Sequence, residues 1–381
     1  MEKARKKRFC IVVPTSFMLR YFKGQLCFLN QTFEVMAISS DPVWLENFGK
    51  TEGIDTCCIP IARFPSITKD IRSFWRLYCF FRQYKPYIVH GNTSKALLPL
   101  LAARLAHVPV RVYMAHGALH QGYTGVKRIL VKVLEYLMCS CSTEVLCVSF
   151  GVKNLLFKER ICGKKDVVKV IGNGTPSGIN MKQFDKSLFN NENLRNALGI
   201  PLANFVFCFV GRINREKGVN ELVDAFNELS SLHKDICLLL VGPEEEHRAI
   251  DENTKKVISD NRLIHSLGYQ EDVRPYVALS DTLVLPSYRE GLSLTLIEAG
   301  AMGIPCITTD IMGCNEVIKD GITGRIVPPR DKKSLYKMMA WFYDHRDDEL
   351  KKMAECARQS IAERYEQHNT WTAYRDEYTS L

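Results

Sequence analysis

Several things are scarce or missing in this 381-residue chain, and each absence narrows the field. No apolar run approaches the ~20 residues that a membrane-spanning helix needs. After the basic start Met1-Glu-Lys-Ala-Arg-Lys-Lys-Arg8, the apolar stretch Phe9–Val13 is only of strand length. A secretory signal is therefore not expected, and the chain is expected in the cytoplasm. No C-x-x-C occurs among the fourteen cysteines; Cys57-Cys58 and Cys139-x-Cys141 come closest. Cys10, Cys79, Cys147, Cys208, Cys237 and Cys306 sit inside apolar runs. That pattern fits core thiols in a reducing compartment rather than disulfides or a metal site. Low-complexity tracts and short-period repeats are also lacking.

What is present is an ordinary globular composition, 46% hydrophobic and 24% charged, long enough for two domains. The net charge of +9 is unevenly spread. Residues 1–200 hold 29 Lys/Arg against 13 Asp/Glu, and residues 201–381 hold 22 against 29. The first half is thus expected to meet an anionic partner that the second half does not share. No recognition motif points to nucleic acid.

Short β-branched runs alternate with helical patterns. Strands are expected at Phe9–Val13, Glu34–Ser39, Asp55–Ile59, Tyr87–His90, Val110–Ala115, Glu144–Val148 and Val167–Ile171. A second series follows at Phe205–Val210, Ile236–Val241, Leu263–Leu267, Thr282–Leu285, Cys306–Thr308 and Gly324–Val327. Such alternation predicts an α/β fold: two Rossmann-like domains with a cleft between them. The expected boundaries are 1–180, 181–350 and a helical tail over 351–381 that packs back on the first domain. Residues 181–200 are polar and read as a linker.

Two basic stretches carry exposed-looking apolar residues. Arg63–Lys85 mixes Arg63, Lys69, Arg72 and Arg76 with Phe64, Phe74 and Trp75; Tyr123–Cys141 mixes Lys127, Arg128 and Lys132 with Ile129, Leu130 and Val133. Each reads either as a core-packing helix with a solvated basic face or as an amphipathic helix on an anionic membrane.

Four places carry chemistry. Gly211-Arg212-Ile-Asn-Arg-Glu-Lys217 follows the strand Phe205–Val210, so two cations stand where a diphosphate could be held. Glu290-Gly291-Leu292-Ser293-Leu294-Thr295 opens a helix that carries Glu298; the amides of Ser293, Leu294 and Thr295 are expected to be unpaired and able to bind phosphate. Glu290 is expected near a sugar and Glu298 on ribose hydroxyls. Gly268-Tyr269 ends another strand, where backbone groups could pair with a nucleobase. Ala115-His116-Gly117 and His90-Gly-Asn92 also end strands, where open α/β sheets hold ligands.

Gly211-Arg212-x4-Lys217 with Glu290-x7-Glu298 resembles the retaining glycosyltransferases of family 4, which have the GT-B fold. Leu267-Gly-Tyr, Pro286-Ser, Ala299-x-Ala-x-Gly303-x-Pro305, Gly313-x-x-Glu316 and Asp320-Gly-x-x-Gly324 extend the likeness over residues 200–330. Ala115-His-Gly117 and Ile171-Gly-Asn173-Gly-Thr-x-x-Gly-Ile-Asn180 are similar to the capsule and O-antigen transferases of that family. The resemblance implies a nucleotide-diphosphate sugar donor, UDP-linked by likeness to the capsule transferases, bound by the second domain. It implies an acceptor, often a sugar on a polyprenyl diphosphate, bound by the first. Arg212, Lys217, Glu290 and His116 would then be catalytic, and Gly211, Gly268, Tyr269, Gly291, Leu292, Ser293, Leu294, Thr295 and Glu298 would bind the donor. Gly24, Asn92 and Asn173 would face the acceptor; Gly24 stands in for the glycine pair many relatives carry after the first strand. No D-x-D occurs, so no metal or other cofactor is expected. A sugar-nucleotide epimerase of the same architecture and a non-catalytic sugar-nucleotide-binding protein are the other readings left open. Peripheral contact with the inner face of an anionic membrane goes with the main one.

Overall fold

Apolar runs such as Phe205–Val210 and Ile236–Val241 are buried at every residue, the signature of parallel strands covered on both faces. The computed structural model describes residues 6–62, 66–163 and 167–381. Arg63 and Phe64 of the first basic stretch, and Met1 to Arg5 of the basic start, lie outside the described residues. The chain divides into two compact units: Met1–Gly178 with His368–Leu381, and Ile179–Gln367.

Unit 1 has strands β1 (Arg8–Val12), β2 (Glu34–Ser39), β3 (Asp55–Cys58), β4 (Ile88–Asn92), β5 (Val110–Ala115), β6 (Glu144–Cys147) and β7 (Val168–Lys169). Its sheet is parallel throughout, in the order β3-β2-β1-β4-β5-β6-β7. Its helices are α1 (Gln25–Asn30), α2 (Pro42–Glu52), α3 (Ile67–Tyr84), α4 (Leu97–Leu105), α5 (Gly125–Cys141) and α6 (Phe150–Lys158). Helix α4 touches both α3 and α5, so these three form one layer.

Unit 2 starts with α7 (Asn191–Leu198), followed by β8 (Phe205–Val210), α8 (Val219–Leu232), β9 (Ile236–Val241), α9 (Glu252–Asp260), β10 (Ile264–Gly268), α10 (Arg274–Leu279) and β11 (Thr282–Leu285). Then come α11 (Leu294–Ala301), β12 (Cys306–Thr309), β13 (Gly324–Val327), α12 (Lys332–Asp344) and α13 (Glu349–Tyr365). The parallel order is β10-β9-β8-β11-β12-β13. The last helix, α14 (Gln367–Ser380), returns to unit 1, where the Trp371 indole donates to the Ser177 carbonyl at 2.7 Å and Tyr374 is buried.

Both sheets reverse direction between their first and fourth strands. The switch points are therefore β1/β4 in unit 1 and β8/β11 in unit 2, and crevices at the carboxyl ends of such strands are where doubly wound folds bind ligands. The expected linker over 181–200 is a correction: it contains α7, which the Asn190 side chain caps at Asn193 and Gly199 ends in the left-handed region. Arg195 anchors α7 by donating to the carbonyls of Asn204 and Leu279 at 2.8 and 3.2 Å, so few apolar residues were needed to hold it. All fourteen cysteines are free thiols, and nine of them are buried. Among the described residues no helix is long and apolar enough to cross a membrane.

Candidate functional site

At the switch point of unit 2 the loops after β8 and β11 are knitted together. Gly218, at φ +70°, lies so close to the loop after β11 that a Cβ would stand 2.1 Å from the Pro286 carbonyl oxygen. The Tyr288 amide donates to the Glu216 carbonyl at 2.8 Å, and Arg289 pairs with the Glu216 carboxylate at 3.1 Å. Arg248 reaches the same carboxylate oxygen. Across this junction Lys217 Nζ meets Glu290 Oε1 at 2.5 Å, both side chains mostly buried. The Ser287 hydroxyl donates to the same oxygen at 2.9 Å.

Arg212 follows Gly211 directly off β8. Its guanidinium is half-exposed and donates to Glu245 at 2.6 Å; Asn214 donates to the other oxygen of that carboxylate. Asn214 also caps the turn that carries Lys217, accepting from the Lys217 amide at 2.9 Å. The two cations are thus each held by a carboxylate of their own unit, from different loops.

Gly291 and Leu292 lead into α11 beside Gly313. At φ +79°, a Cβ on Gly313 would stand 2.5 Å from the Gly291 oxygen, so only glycine permits this approach. The expectation of three open amides needs correcting at its first member: the Ser293 amide donates to the Gly313 carbonyl at 3.0 Å. The Ser293 hydroxyl in turn caps the Leu296 amide. The amides of Leu294 and Thr295, in the first turn of α11, remain the ones free of helical partners.

Glu298 sits about one turn further along α11. Although it keeps some exposed surface, its carboxyl is crowded by protein atoms. That desolvation and repulsion from Asp272, set against the pull of Arg274, push it up to about 7. Asp272 and Arg274 form a two-pronged pair at 2.7 and 2.8 Å. They follow Gly268 and Tyr269, so the loop after β10 is an electrostatic neighbour of Glu298. Gly268 accepts from the Gly242 amide at 2.8 Å, and the Tyr269 ring is exposed. Glu245, Glu216, Arg289 and Asn214 escaped the sequence reading. Their side-chain partners across the loops lie tens of residues away, and only Gly313 had left a trace there, as part of a motif without a job.

In unit 1 the switch point gathers Asn92, at the end of β4, and His116, just after β5. His116 Nε2 lies 3.3 Å from Asn92 Oδ1, and burial pushes the imidazole down to about 4. Asn92 itself is only 1% exposed, which leaves it no surface for the acceptor contact expected of it. Gly24 is likewise a packing position. Its amide donates to both oxygens of Glu52 at 2.9 and 2.8 Å, and a Cβ there would stand 2.7 Å from the Trp371 ring. Asn173 is exposed in the Gly172–Gly174 turn.

Residues 190–360 match the family model for glycosyl transferases group 1, and residues 30–177 match that for glycosyltransferase family 4. The capsular polysaccharide biosynthesis glycosyltransferase CapM of Staphylococcus aureus is 28% identical over 85% of this chain and 84% of its own. The Escherichia coli UDP-Gal:alpha-D-GlcNAc-diphosphoundecaprenol alpha-1,3-galactosyltransferase is 27% identical over 87% and 85%. Among solved structures, a glycosyltransferase from Rickettsia africae superposes with a TM-score of 0.80 at 21% identity, over 98% of each chain. Anabaena HepE in complex with UDP-glucose superposes with a TM-score of 0.79 at 17% identity, over 98% of this chain and 100% of its own. With both halves matched and the GT-B fold shared, the chain belongs to the family 4 glycosyltransferases.

Proposed function

We propose that this enzyme is a retaining transferase that moves a hexose or N-acetylhexosamine from a UDP-linked donor to a saccharide on a polyprenyl diphosphate, in capsule or O-antigen assembly. The observation that carries the reading is the Lys217–Glu290 contact at the β8/β11 switch point. It sets a cation and a carboxylate side by side at strand ends, next to the first turn of α11. The E. coli relative acts on a diphosphoundecaprenol-linked sugar, and HepE binds UDP-glucose; both fit the proposed substrates.

The chemistry follows from charge. Breaking the bond between the anomeric carbon and the diphosphate leaves the electron pair on the departing oxygen. Lys217, Arg212 and the amides of Leu294 and Thr295 stabilise that developing charge, the term that usually contributes most to catalysis. The acceptor hydroxyl attacks from the face the diphosphate leaves, and its proton passes to the departing phosphate oxygen. Configuration at the anomeric carbon is thereby kept. Glu290 orients sugar hydroxyls rather than acting as a nucleophile, Glu298 takes the ribose hydroxyls, and His116 of unit 1 takes a hydroxyl of a bound sugar. No step calls for a metal.

The lipid-linked acceptor is met at an anionic membrane face. Val126, Ile129, Leu130, Val133, Leu134 and Leu137 of α5 are all exposed, at the i, i+3, i+4, i+7, i+8 and i+11 spacing of a single helix face. Of the buried residues of α5, Glu135, Met138 and Cys139 centre on the opposite face, so the apolar stripe points to solvent. On α3, which shares the layer with α4 between, Ile67, Ile71 and Trp75 are exposed beside Lys69, Arg72 and Arg76. A thermal-shift screen of nucleotide sugars tests the donor half of the reading. One UDP-sugar should stabilise the enzyme beyond UDP alone, and Lys217→Ala should abolish the gain; no stabilisation by any nucleotide would overturn it.

A further inference from the structure

Three side chains at the β1/β4 switch point of unit 1 form a short run of hydrogen bonds. Asn92 Oδ1 lies 3.3 Å from His116 Nε2, and Asn92 Nδ2 lies 3.0 Å from His90 Nδ1 and 3.5 Å from the Val12 carbonyl oxygen. The surroundings decide which way the amide faces. A carbonyl can only accept, so the NH2 end belongs beside Val12; turning the amide over would set oxygen against oxygen. With the NH2 end there, His90 Nδ1 accepts and carries no proton. The amide oxygen must then accept from His116 Nε2, which therefore carries one. No hydrogen bond to His116 Nδ1 is found among the described residues.

His90 shows that this run is more than packing. It is 1% exposed, among the rings of Phe9, Phe22 and Tyr378, and its Nε2 has no partner. A leucine or phenylalanine would fill such a box without burying an unsatisfied N–H, which is a cost to folding. The pair is also electrically quiet. Burial, with the neighbouring His116, pushes His90 down to about 3, so His90 stays neutral while it accepts from Asn92.

We propose that Asn92 is a positioning residue. It holds His116 as the neutral imidazole protonated on Nε2, leaving Nδ1 as the acceptor for a hydroxyl of the bound sugar. The role of Nδ1 rests on the functional reading above; the tautomer does not. His90 backs the arrangement by fixing the far end of the amide, so its unsatisfied N–H is the consequence of orienting Asn92. His90 is also the titratable side chain that faces His116, across Asn92, and burial alone accounts for the downward shift of His116.

The test has two arms. In full-length protein labelled with 15N-histidine, two-bond 1H–15N correlation at about pH 7.5 should show His116 protonated on Nε2 and bare on Nδ1, uncharged until about pH 5 or below. An Nδ1-protonated or doubly protonated ring at that pH overturns the proposal. In the second arm, Asn92→Asp keeps the shape but places a carboxylate against Nε2–H, which favours the imidazolium and removes the Nδ1 lone pair as pH falls. Between pH 8 and pH 6 the variant should lose about tenfold or more in kcat/KM beyond whatever change the unmutated enzyme shows over the same range. A variant that tracks the unmutated profile, with only a constant loss, shows a structural role and overturns the proposal. Absence of transfer by the unmutated enzyme on every donor would instead sink the functional reading, and with it the task of Nδ1, while the spectrum still reports the tautomer.

Discussion

Lys217 and Glu290 stand 73 residues apart in the chain and 2.5 Å apart in space. Lys217 ends a single turn of 3-10 helix and Glu290 lies in a loop, and neither could bring the pair together alone. The contact depends on Asn214 capping the turn before Lys217 and on Gly218 letting Pro286 close in. Lys217→Ala or Arg212→Ala should lower sugar transfer by about a hundredfold or more, as for the loss of one oxyanion donor worth ~3–4 kcal/mol. Arg212 is half-exposed, so its loss should move Tm by no more than about 2 °C. Steady-state rates beside melting curves check both; near-normal turnover in the two variants contradicts the assignment.

Glu298 should make nucleotide binding and stability both depend on pH. Its carboxyl is raised to about 7 in the folded chain, above its unfolded value, so the folded state holds the proton more tightly. Its contribution to stability is therefore greatest at low pH and is lost as pH rises through about 7. Glu298→Gln should flatten the fall in Tm between pH 5 and pH 8. Ribose hydroxyls would be accepted best by the ionised form, so stabilisation by UDP should be larger at pH 8 than at pH 6, and the Gln variant should lose that difference. Calorimetry across this range that finds the same slope in both proteins would refute the account of Glu298.

Gly313→Ala should cost more than the backbone conformation alone demands. Gly313 and Gly199 both sit at positive φ in unit 2, but a Cβ on Gly199 meets nothing within 4 Å, whereas one on Gly313 meets the Gly291 carbonyl at 2.5 Å. Gly199→Ala should cost about 1 kcal/mol and leave transfer intact. Gly313→Ala should cost roughly 2 kcal/mol or more and displace the Gly291–Ser293 loop, so that activity falls along with stability. Urea unfolding of the two variants side by side decides it.

The apolar stripe on α5 makes its own prediction. Leu130→Ser, Val133→Ser and Leu137→Ser together should abolish flotation with anionic liposomes. Because all three side chains are exposed, Tm should stay within about 2 °C of the unmutated value. Pelleting of the unmutated enzyme without lipid at both low and high salt would contradict a membrane contact.

How much of this was legible in the chain depends on how local each signal is. Central strands announce themselves because a strand buried on both faces must be apolar along its length, as Phe205–Val210 and Ile236–Val241 are. Helix α7 hid because it is short and polar: only Leu194 and Leu198 pack on the core, and a buried arginine supplies the rest of its anchor. At the site, Arg212, Lys217, Glu290 and Glu298 stand out as charges at strand and helix ends, but their partners do not. Glu245 looks like any surface acid until it is seen across from Arg212. Gly24 looked like a ligand-side glycine, yet its amide belongs to Glu52, and Asn92 turned out to serve two histidines from within the core. Each miss concerns a group whose partner is set by the folded chain rather than by neighbours in sequence.

The central claim is that the groups around Lys217 and Glu290 support sugar transfer with retention, and the anomeric configuration of the product tests it most directly. Proton NMR should follow the anomeric signal during turnover of the UDP-α-sugar found in the thermal-shift screen, with a lipid-diphosphate-linked saccharide as acceptor. The account predicts an α-linked product that appears as the donor signal decays, and none from Lys217→Ala. A β-linked product, or a donor converted to its epimer without acceptor, would contradict it.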